Sequence, residues 1–288
     1  MRITDCVHAL KIPFQVTTPL GVKVDRFVYV YIVLGKRIFL VDSGVANSEH
    51  AIFKYIREAG RNPEEISHLI LTHSHPDHIG AALAIKKASG CTICAHPAEK
   101  SWIEDVDLQS KERPVPGFNA LVGGSVSVEC VLEEGKKLEI DENLLIDVFH
   151  TPGHSKGSIS LLLQPEGVLF TGDAIPIPGD IPIYEDVVSL VRSIRFLMDL
   201  NGIMFLLASW DDPQQGGNIA QRFRASIGYL QRIHEAVTKV AELGLGPMEV
   251  CLRVLDDLGL PKAVANPLLA TSFMSHLKVR AKEELFRV

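Results

Sequence analysis

The residues best suited to chemistry begin with one short segment, THSHPDHIG, at positions 72–80. It holds three histidines and one carboxylate, namely His73, His75, Asp77 and His78, directly after the apolar run SHLIL. Imidazole nitrogens and carboxylate oxygens are ligands of zinc and iron, and alternate side chains of an extended segment point the same way. An ordinary solvated loop would not be expected to combine three histidines and a carboxylate at the end of an apolar strand. The segment therefore predicts a metal site.

Two further polar segments also follow apolar runs and could supply additional ligands. His154 lies in TPGH after LLIDVFH, and Asp173 lies in FTGD after VL. Each segment alone would be weak evidence, but three polar strand ends can converge at one rim of a sheet. We therefore expect His154 and Asp173 at the same site. Among the other histidines, His96 could approach this site, whereas His276 is expected at the surface or in a helix.

The segments HSHPDH, TPGHS and FTGD resemble the metal-binding motifs of the metallo-β-lactamase superfamily, and the earlier VDSG resembles its first motif. Members of this family include glyoxalase II-like thioesterases, lactonases and RNA-processing nucleases, and the resemblance covers roughly residues 25–212. Asp42, in VDSG, matches a position at which a carboxylate orients a ligand histidine. The resemblance implies six ligands: His73, His75 and His154 for a first metal, Asp77 and His78 for a second, and Asp173 as a bridge.

One residue departs from the family pattern. The family usually supplies a last histidine at the end of a late strand, but Trp210 stands at that position, in LASWDDP. An indole offers no lone pair to a metal. Two interpretations are open: Asp211 or Asp212 supplies an oxygen ligand, or the second site is weak or empty. Zinc, as one or two ions, is the favoured divalent metal, with iron and manganese as alternatives.

The elements that must position these residues follow from periodicity. Alternating apolar residues in VDRFVYVYIVLG and in KRIFLVD predict strands, whereas residues 49–59 and 184–200 have helical spacing. Strands and helices together predict an α+β protein, and the resemblance implies a four-layer αββα sandwich with the metal site between the sheet edges. We assign residues 1–213 to this domain. We further predict a strand at residues 125–132 and a small all-helical C-terminal segment at residues 214–288, with helices at 219–243, 247–258 and 267–285.

The composition excludes several classes of protein. With 47% apolar and 22% charged residues among 288, the chain is expected to fold into a globular protein. The 29 basic and 35 acidic residues give a net charge of −6, which disfavours a nucleic-acid partner. The pair Cys91 and Cys94 has no second pair to complete a zinc ribbon, so both are expected to be structural. The start resembles no signal peptide and no stretch is long enough to span a membrane, so a cytoplasmic location is expected.

The resemblance implies a metal-dependent hydrolase. A metal-activated hydroxide would attack the carbonyl of a small-molecule ester, thioester or lactone, and Asp77 would transfer the proton. Residues 101–124 and 174–186 are the expected loops over the site. The helical segment is expected to dock on the sandwich and to shape substrate access or a homodimer interface.

Three alternatives remain open at this stage. A mononuclear non-haem iron oxidoreductase acting on sulfur compounds would suit a chain that lacks the last histidine. A nuclease of the same fold is disfavoured by the acidic charge balance. The third alternative is a metal-binding protein without catalysis.

Overall fold

The computed structural model describes residues 1–17, 21, 23–279 and 285–287. These residues form two six-stranded sheets in which neighbouring strands follow chain order. The first sheet contains β1 Val7–Thr17, β2 Lys23–Leu34, β3 Ile38–Val41, β4 Ile66–Ile70, β5 Thr92–Ala95 and β6 Cys130–Val131. The second contains β7 Lys137–Asp141, β8 Leu144–His150, β9 Ile159–Gln164, β10 Val168–Gly172, β11 Phe205–Ala208 and β12 Gln214–Gln215.

Helices flank the two sheets. They are α1 Ser48–Glu58, α2 Pro76–Ile79, α3 Ala82–Ser89, α4 Lys100–Glu104, α5 Val106–Glu112, α6 Phe118–Leu121, α7 Val187–Met198, α8 Gly217–Ala241, α9 Pro247–Asp257 and α10 Pro267–Ser275. Across the described part of the chain, no helix combines the length and the apolar character needed to cross a bilayer.

Side-chain alternation in β2 builds two layers at once. Val28, Val30 and Ile32 belong to an apolar cluster that includes residues of α1 and α3, on the outer face of the first sheet. Tyr29 and Tyr31 point to the opposite face and share a cluster with the second sheet. A third cluster joins the outer face of the second sheet to α7 and to the C-terminal helices. Three apolar interfaces between four layers confirm the expected αββα sandwich.

Strand direction explains why distant segments meet at one rim. Strands β3 and β4 are parallel, so the segments that follow them leave the first sheet at the same edge. Strands β8 and β10 both pair antiparallel with β9, so they too end at one edge. The two sheets are joined there by backbone hydrogen bonds from Ile159 N to Thr72 O at 3.0 Å and from Tyr29 N to Ser209 O at 2.8 Å.

The C-terminal helices dock on the second sheet, as expected. Phe223 of α8 and Phe273 of α10 share an apolar cluster with Leu169 of β10. The Tyr184 backbone N–H donates to Ser272 Oγ at 2.9 Å, and the Tyr184 hydroxyl lies 2.6 Å from His276 Nε2. His276 begins the helical turn that follows α10, which agrees with the helical alternative, and it is buried between packed elements.

Two predicted elements are shorter than expected. The predicted strand at 125–132 keeps only β6, because Val126 N donates to Ile103 O and Val128 N donates to Glu104 Oε1 instead of to a partner strand. The predicted helix at 267–285 ends at Ser275, where a tighter turn follows, and residues 280–284 lie outside the described residues. Strand β1 is absent from the prediction. It contains Pro13 and lies at a sheet edge, where proline is tolerated.

Candidate metal centre

Four side chains from three strand ends form a first cluster. His73 Nε2 lies 3.0 Å from His75 Nδ1, and His154 Nε2 lies 2.8 Å from the same atom. Asp173 Oδ2 lies 3.3 Å from His154 Nε2 and 3.9 Å from His73 Nε2. All four ligand atoms lie within 4.8 Å of one another. Three imidazole nitrogens and one carboxylate oxygen converging in this way fit the tetrahedral donor set of a divalent ion such as zinc.

A second cluster shares Asp173 with the first. His78 Nε2 lies 3.4 Å from Asp77 Oδ2 and 3.3 Å from Asp173 Oδ1. These three atoms are buried, and none has a hydrogen-bond partner among the described residues. Buried polar atoms in folded proteins are rarely left unpaired. Three unpaired atoms that face one another therefore fit a second cation. The structure thus brings all six sequence-predicted residues into two adjoining clusters.

Trp210 contacts the carboxylate that the two clusters share. Its indole Nε1–H donates to Asp173 Oδ2 at 3.1 Å. Asp211 instead forms an ion pair with an arginine of α8 at 2.8 Å, and Asp212 accepts a hydrogen bond from the Tyr29 hydroxyl at 2.7 Å. Neither carboxylate joins a cluster in the described structure. The second cluster therefore brings together three protein donors, one fewer than the first cluster.

Asp42 holds the segment that carries the histidines. Its Oδ2 accepts from His78 Nδ1 at 2.8 Å, which leaves His78 Nε2 directed at the second cluster. Its Oδ1 accepts from Thr72 N at 2.8 Å, and its Oδ2 also accepts from Thr72 Oγ1 at 2.8 Å. The Asp42 backbone has φ of 62°, a left-handed conformation that is uncommon outside glycine. These hydrogen bonds hold the carboxylate in place despite that conformation.

Glu99 is a structural partner of the site that sequence reasoning missed. The Glu99 residue is only 3% exposed. It accepts from Ser74 N at 3.0 Å and from the Ser74 hydroxyl on one loop, and from Ser155 Oγ at 2.7 Å and Gly157 N at 2.6 Å on another. Glu99 thus ties the loop of His73 and His75 to the loop of His154. Its sequence signal is weak, because a lone glutamate in a short helical turn looks like any surface residue.

Two glycines allow the loops to approach closely. Gly153 of TPGH has φ of 131°, and a Cβ there would lie 2.3 Å from Leu190 N. Gly172 of FTGD has φ of 51°, and a Cβ there would lie 2.7 Å from Thr72 Oγ1. Side chains would collide at both positions, so these glycines are needed for His154 and Asp173 to reach the clusters. His96, by contrast, does not approach the site; it stacks on His150 at 4.2 Å.

Burial and neighbouring charges together control protonation at the site. Desolvation lowers the pKa of each histidine of the first cluster, which favours the neutral imidazole that binds metals. Burial acts the same way on His78, but the carboxylates around it, Asp173 foremost, outweigh burial and raise its pKa well above the usual value. Burial opposes ionisation of Asp173, yet His78 and His154 together bring its pKa down to about 2. Asp173 is therefore an anion at neutral pH.

A cavity of about 650 Å³ opens onto both clusters. Its floor includes His75, Asp77, His154 and Asp173. The walls come from strands β1 and β2, from residues 113–121 and 175–183, and from the C-terminal segment. They are mainly apolar. The apolar side chains are Phe14, Val16, Val24, Pro114, Val115, Pro116, Ile175, Pro176, Ile177, Ile181, Pro182, Trp210, Val264 and Leu268. Both segments expected over the site line this cavity, but residues 101–124 form the short helices α4, α5 and α6 with connecting turns rather than one loop. The walls formed by β1 and β2 were not anticipated.

The sequence matches the family model of the Metallo-beta-lactamase superfamily over residues 24–223. It is 33% identical over 131 residues to a probable metallo-hydrolase of Bacillus subtilis. The aligned segment covers 44% of this chain and 56% of that protein. It is 30% identical over 147 residues to hydroxyacylglutathione hydrolase of Haemophilus influenzae. This second aligned segment covers 49% of this chain and 66% of that enzyme. Neither relative is matched over two thirds of its own length.

Solved structures extend the likeness of the fold to the C-terminal helices. A metallo-beta-lactamase family protein of Thermus thermophilus matches with a TM-score of 0.72 and 22% identity, over 96% of this chain and 94% of that one. A beta-lactamase domain protein of Burkholderia ambifaria matches with a TM-score of 0.67 and 15% identity, over 99% and 90%. At these identities the likeness is one of fold alone.

Proposed function

Since the chain belongs to the metallo-β-lactamase superfamily, we propose that it is a metal-dependent hydrolase of a small-molecule ester, thioester or lactone. The observation that carries this proposal is the convergence of two ligand clusters on the floor of an apolar cavity. A divalent ion bound there would acidify a water molecule and polarise the substrate carbonyl. Zinc, as one or two ions, best suits the nitrogen and oxygen donors of the first cluster, and iron or manganese accepts the same donors.

Each ligand side chain has a separate task in this proposal. The three histidines and Asp173 hold the first ion, and His78 and Asp77 face the second position. Asp77 lines the cavity and its side chain is 15% exposed, so it can also accept a proton from water and return it to a leaving group. Trp210 donates its N–H to Asp173 and so fixes the shared carboxylate between the clusters.

The cavity walls favour a small substrate over a nucleic acid. Proline and aliphatic side chains dominate the walls, and they offer apolar contacts to an acyl or thioalkyl group. A phosphodiester backbone would need a basic surface, whereas this chain has a net charge of −6. The name of the Haemophilus influenzae relative denotes hydrolysis of hydroxyacylglutathione, which is a thioester, and this supports a thioester among the candidates.

The proposal is tested by metal analysis and a substrate screen on the full chain. The protein is loaded with zinc, manganese or iron, and the rate is measured on matched ester, thioester, lactone and phosphodiester substrates. We expect oxygen-independent hydrolysis of at least one carbonyl substrate, with His75→Ala as the inactive control. A metal-loaded protein that turns over none of these carbonyl substrates would contradict the proposal.

One observation favours a second candidate, an iron oxidoreductase acting on sulfur compounds. The second cluster has only three protein donors, and the indole of Trp210 donates to the carboxylate that it shares with the first cluster. An enzyme that uses one metal ion, held by the first cluster, fits these residues. Non-haem iron accepts histidine and carboxylate ligands of this kind. Dioxygen uptake by the iron-loaded protein with a thiol or persulfide substrate would favour this candidate, and equal turnover by the zinc-loaded protein without oxygen would exclude it.

A further inference from the structure

Arg113 lies at a turn that aims it into the cavity. It follows the last residue of α5, and Pro114 comes next, so the helix cannot continue through this position. The Arg113 side chain lines the same cavity as His75, Asp77, His154 and Asp173. Its positive charge is close enough to disfavour protonation of all three histidines of the first cluster. A cation therefore faces the cavity directly beside the ligand clusters.

The guanidinium of Arg113 has no direct partner among the described residues. In the described part of the chain its side chain makes neither a hydrogen bond nor an ion pair within 4.0 Å, although Asp77, Asp173, Glu185 and Glu99 lie near enough to stabilise its charge. Arg113 is partly buried, and burial lowers its pKa without making an arginine neutral in a protein. A desolvated guanidinium without a partner is costly unless a ligand supplies one.

Arg26 provides a comparison within the same cavity. Its Nη1 and Nη2 donate to the Asp180 carboxylate at 2.9 Å and 3.1 Å, and its guanidinium lies 4.2 Å from the centre of the Trp210 ring. Its charge is therefore already matched by an anion and a ring face. Of the two arginines among the described cavity-lining residues, only Arg113 keeps its fork of donors free for a ligand.

We propose that Arg113 is the recognition residue for a carboxylate carried by the substrate. One free cation matches one negative charge, and the planar guanidinium can donate two parallel hydrogen bonds to a carboxylate. The apolar walls would take up the rest of the molecule. The substrate class is then an anionic amphiphile, an ester, thioester or lactone with a carboxylate on one side and an apolar group on the other. The reacting bond in this class rests on the proposed function, whereas the carboxylate site does not.

Binding without turnover tests the carboxylate site directly. Octanoate and its neutral counterpart 1-octanol are titrated by calorimetry into the zinc-loaded full chain and into Arg113→Gln, Arg113→Lys and Arg26→Gln. We expect Arg113→Gln to weaken octanoate binding by about 10- to 100-fold, the range of charge-assisted hydrogen bonds, and to leave octanol binding unchanged. Arg113→Lys should retain part of the preference for octanoate, and Arg26→Gln nearly all of it.

The metal could hold the carboxylate instead, and His75→Ala separates this case. If Arg113→Gln binds octanoate as tightly as the unaltered protein and only His75→Ala loses it, the proposal is wrong. Equal loss in Arg113→Gln and Arg26→Gln would also overturn it. So would loss of octanol together with octanoate in Arg113→Gln, since Arg113 would then maintain the cavity and recognise no anion.

Substrate turnover distinguishes this inference from the proposed function. Octanoyl thioesters with a carboxylate or a carboxamide on the thiol portion are compared in the unaltered protein and in Arg113→Gln. We expect kcat/KM to fall by about 10-fold or more for the carboxylate thioester alone. If neither thioester is hydrolysed but octanoate binding still depends on Arg113, the hydrolase proposal fails and the carboxylate site stands. If both are hydrolysed at rates independent of Arg113, the carboxylate site fails and the hydrolase proposal stands.

Discussion

The two ligand clusters share Asp173 and one cavity floor, yet they differ in completeness. The first has three histidines and a carboxylate, which is a full set for a tetrahedral ion. The second has only Asp77, His78 and the shared Asp173, and the indole N–H of Trp210 donates to that shared carboxylate. The comparison shows that the presence of metal-binding residue types is not enough to make two equal sites. The number of donors that converge also matters.

The support behind the two clusters differs as well. Asp42 orients His78 of the second cluster, whereas Glu99 ties together the two loops that carry the histidines of the first. Both clusters therefore have hydrogen-bonded support, and the larger difference between them is the number of donors. We expect this difference to appear as a difference in metal affinity between the two positions.

The largest expected effect follows from removing a donor of the complete cluster. In His75→Ala, hydrolysis should fall to the limit of detection and the metal content of the first cluster should fall with it, because no neighbouring residue can take over the Nδ1 position. The loss should exceed the about 10²- to 10⁴-fold expected from a missing proton-transfer group. Elemental analysis and a rate assay on the same sample check this. Normal rate at unchanged metal content would remove His75 from the site.

A smaller loss is expected from the incomplete cluster. Asp77→Asn should lower kcat by about 10²- to 10⁴-fold, because the amide cannot accept the proton that the carboxylate accepts. Metal at the first cluster should be retained, since Asp77 does not belong to it. The two effects are separated by measuring kcat and metal content together. An unaltered kcat would exclude Asp77 from proton transfer.

The support of the first cluster gives the next effect. Glu99→Gln removes the negative charge that accepts four hydrogen bonds from two loops, so metal affinity should fall by about 10- to 100-fold. Excess metal should restore most of the activity, because the ligands themselves are intact. Competition with a chelator measures the affinity, and Glu133→Gln at an exposed position is the matched control. Equal affinities in the two variants would show that Glu99 does not position the ligands.

The smallest expected effect concerns the pH dependence of folding stability. It arises from His276, a buried histidine outside the clusters. Burial, with a smaller contribution from His234, lowers the pKa of His276 to about 3, below the value of about 6.5 in an unfolded chain. The unfolded state therefore binds more protons below pH 6.5, and folding stability falls as the pH decreases toward 3. Denaturant unfolding should show a loss of about 2 kcal/mol between pH 7 and pH 5 that is absent in His276→Gln. An identical loss in both proteins would contradict this.

The sequence predicts the candidate ligands because they lie in short motifs whose residue types bind metals. His73 and His75 follow β4 and His154 follows β8, and both strands end at the rim where the two sheets meet. Glu99 and Arg113 carry no such signal, because their roles arise from contacts across long stretches of chain. The interruption of the predicted strand at 125–132 also arises from contacts between distant segments. The backbone N–H groups of Val126 and Val128 donate hydrogen bonds to α4 rather than to a strand.

The asymmetry between the clusters is tested most directly by the number of metal ions that the unaltered chain retains. The protein is loaded with excess zinc and dialysed against increasing concentrations of a mild chelator, and zinc per chain is measured at each step. We predict that one ion is retained after a second has been lost, and that Trp210→His shifts loss of the second ion to higher chelator concentration. Two ions that leave the unaltered protein together, at the same chelator concentration, would contradict the account.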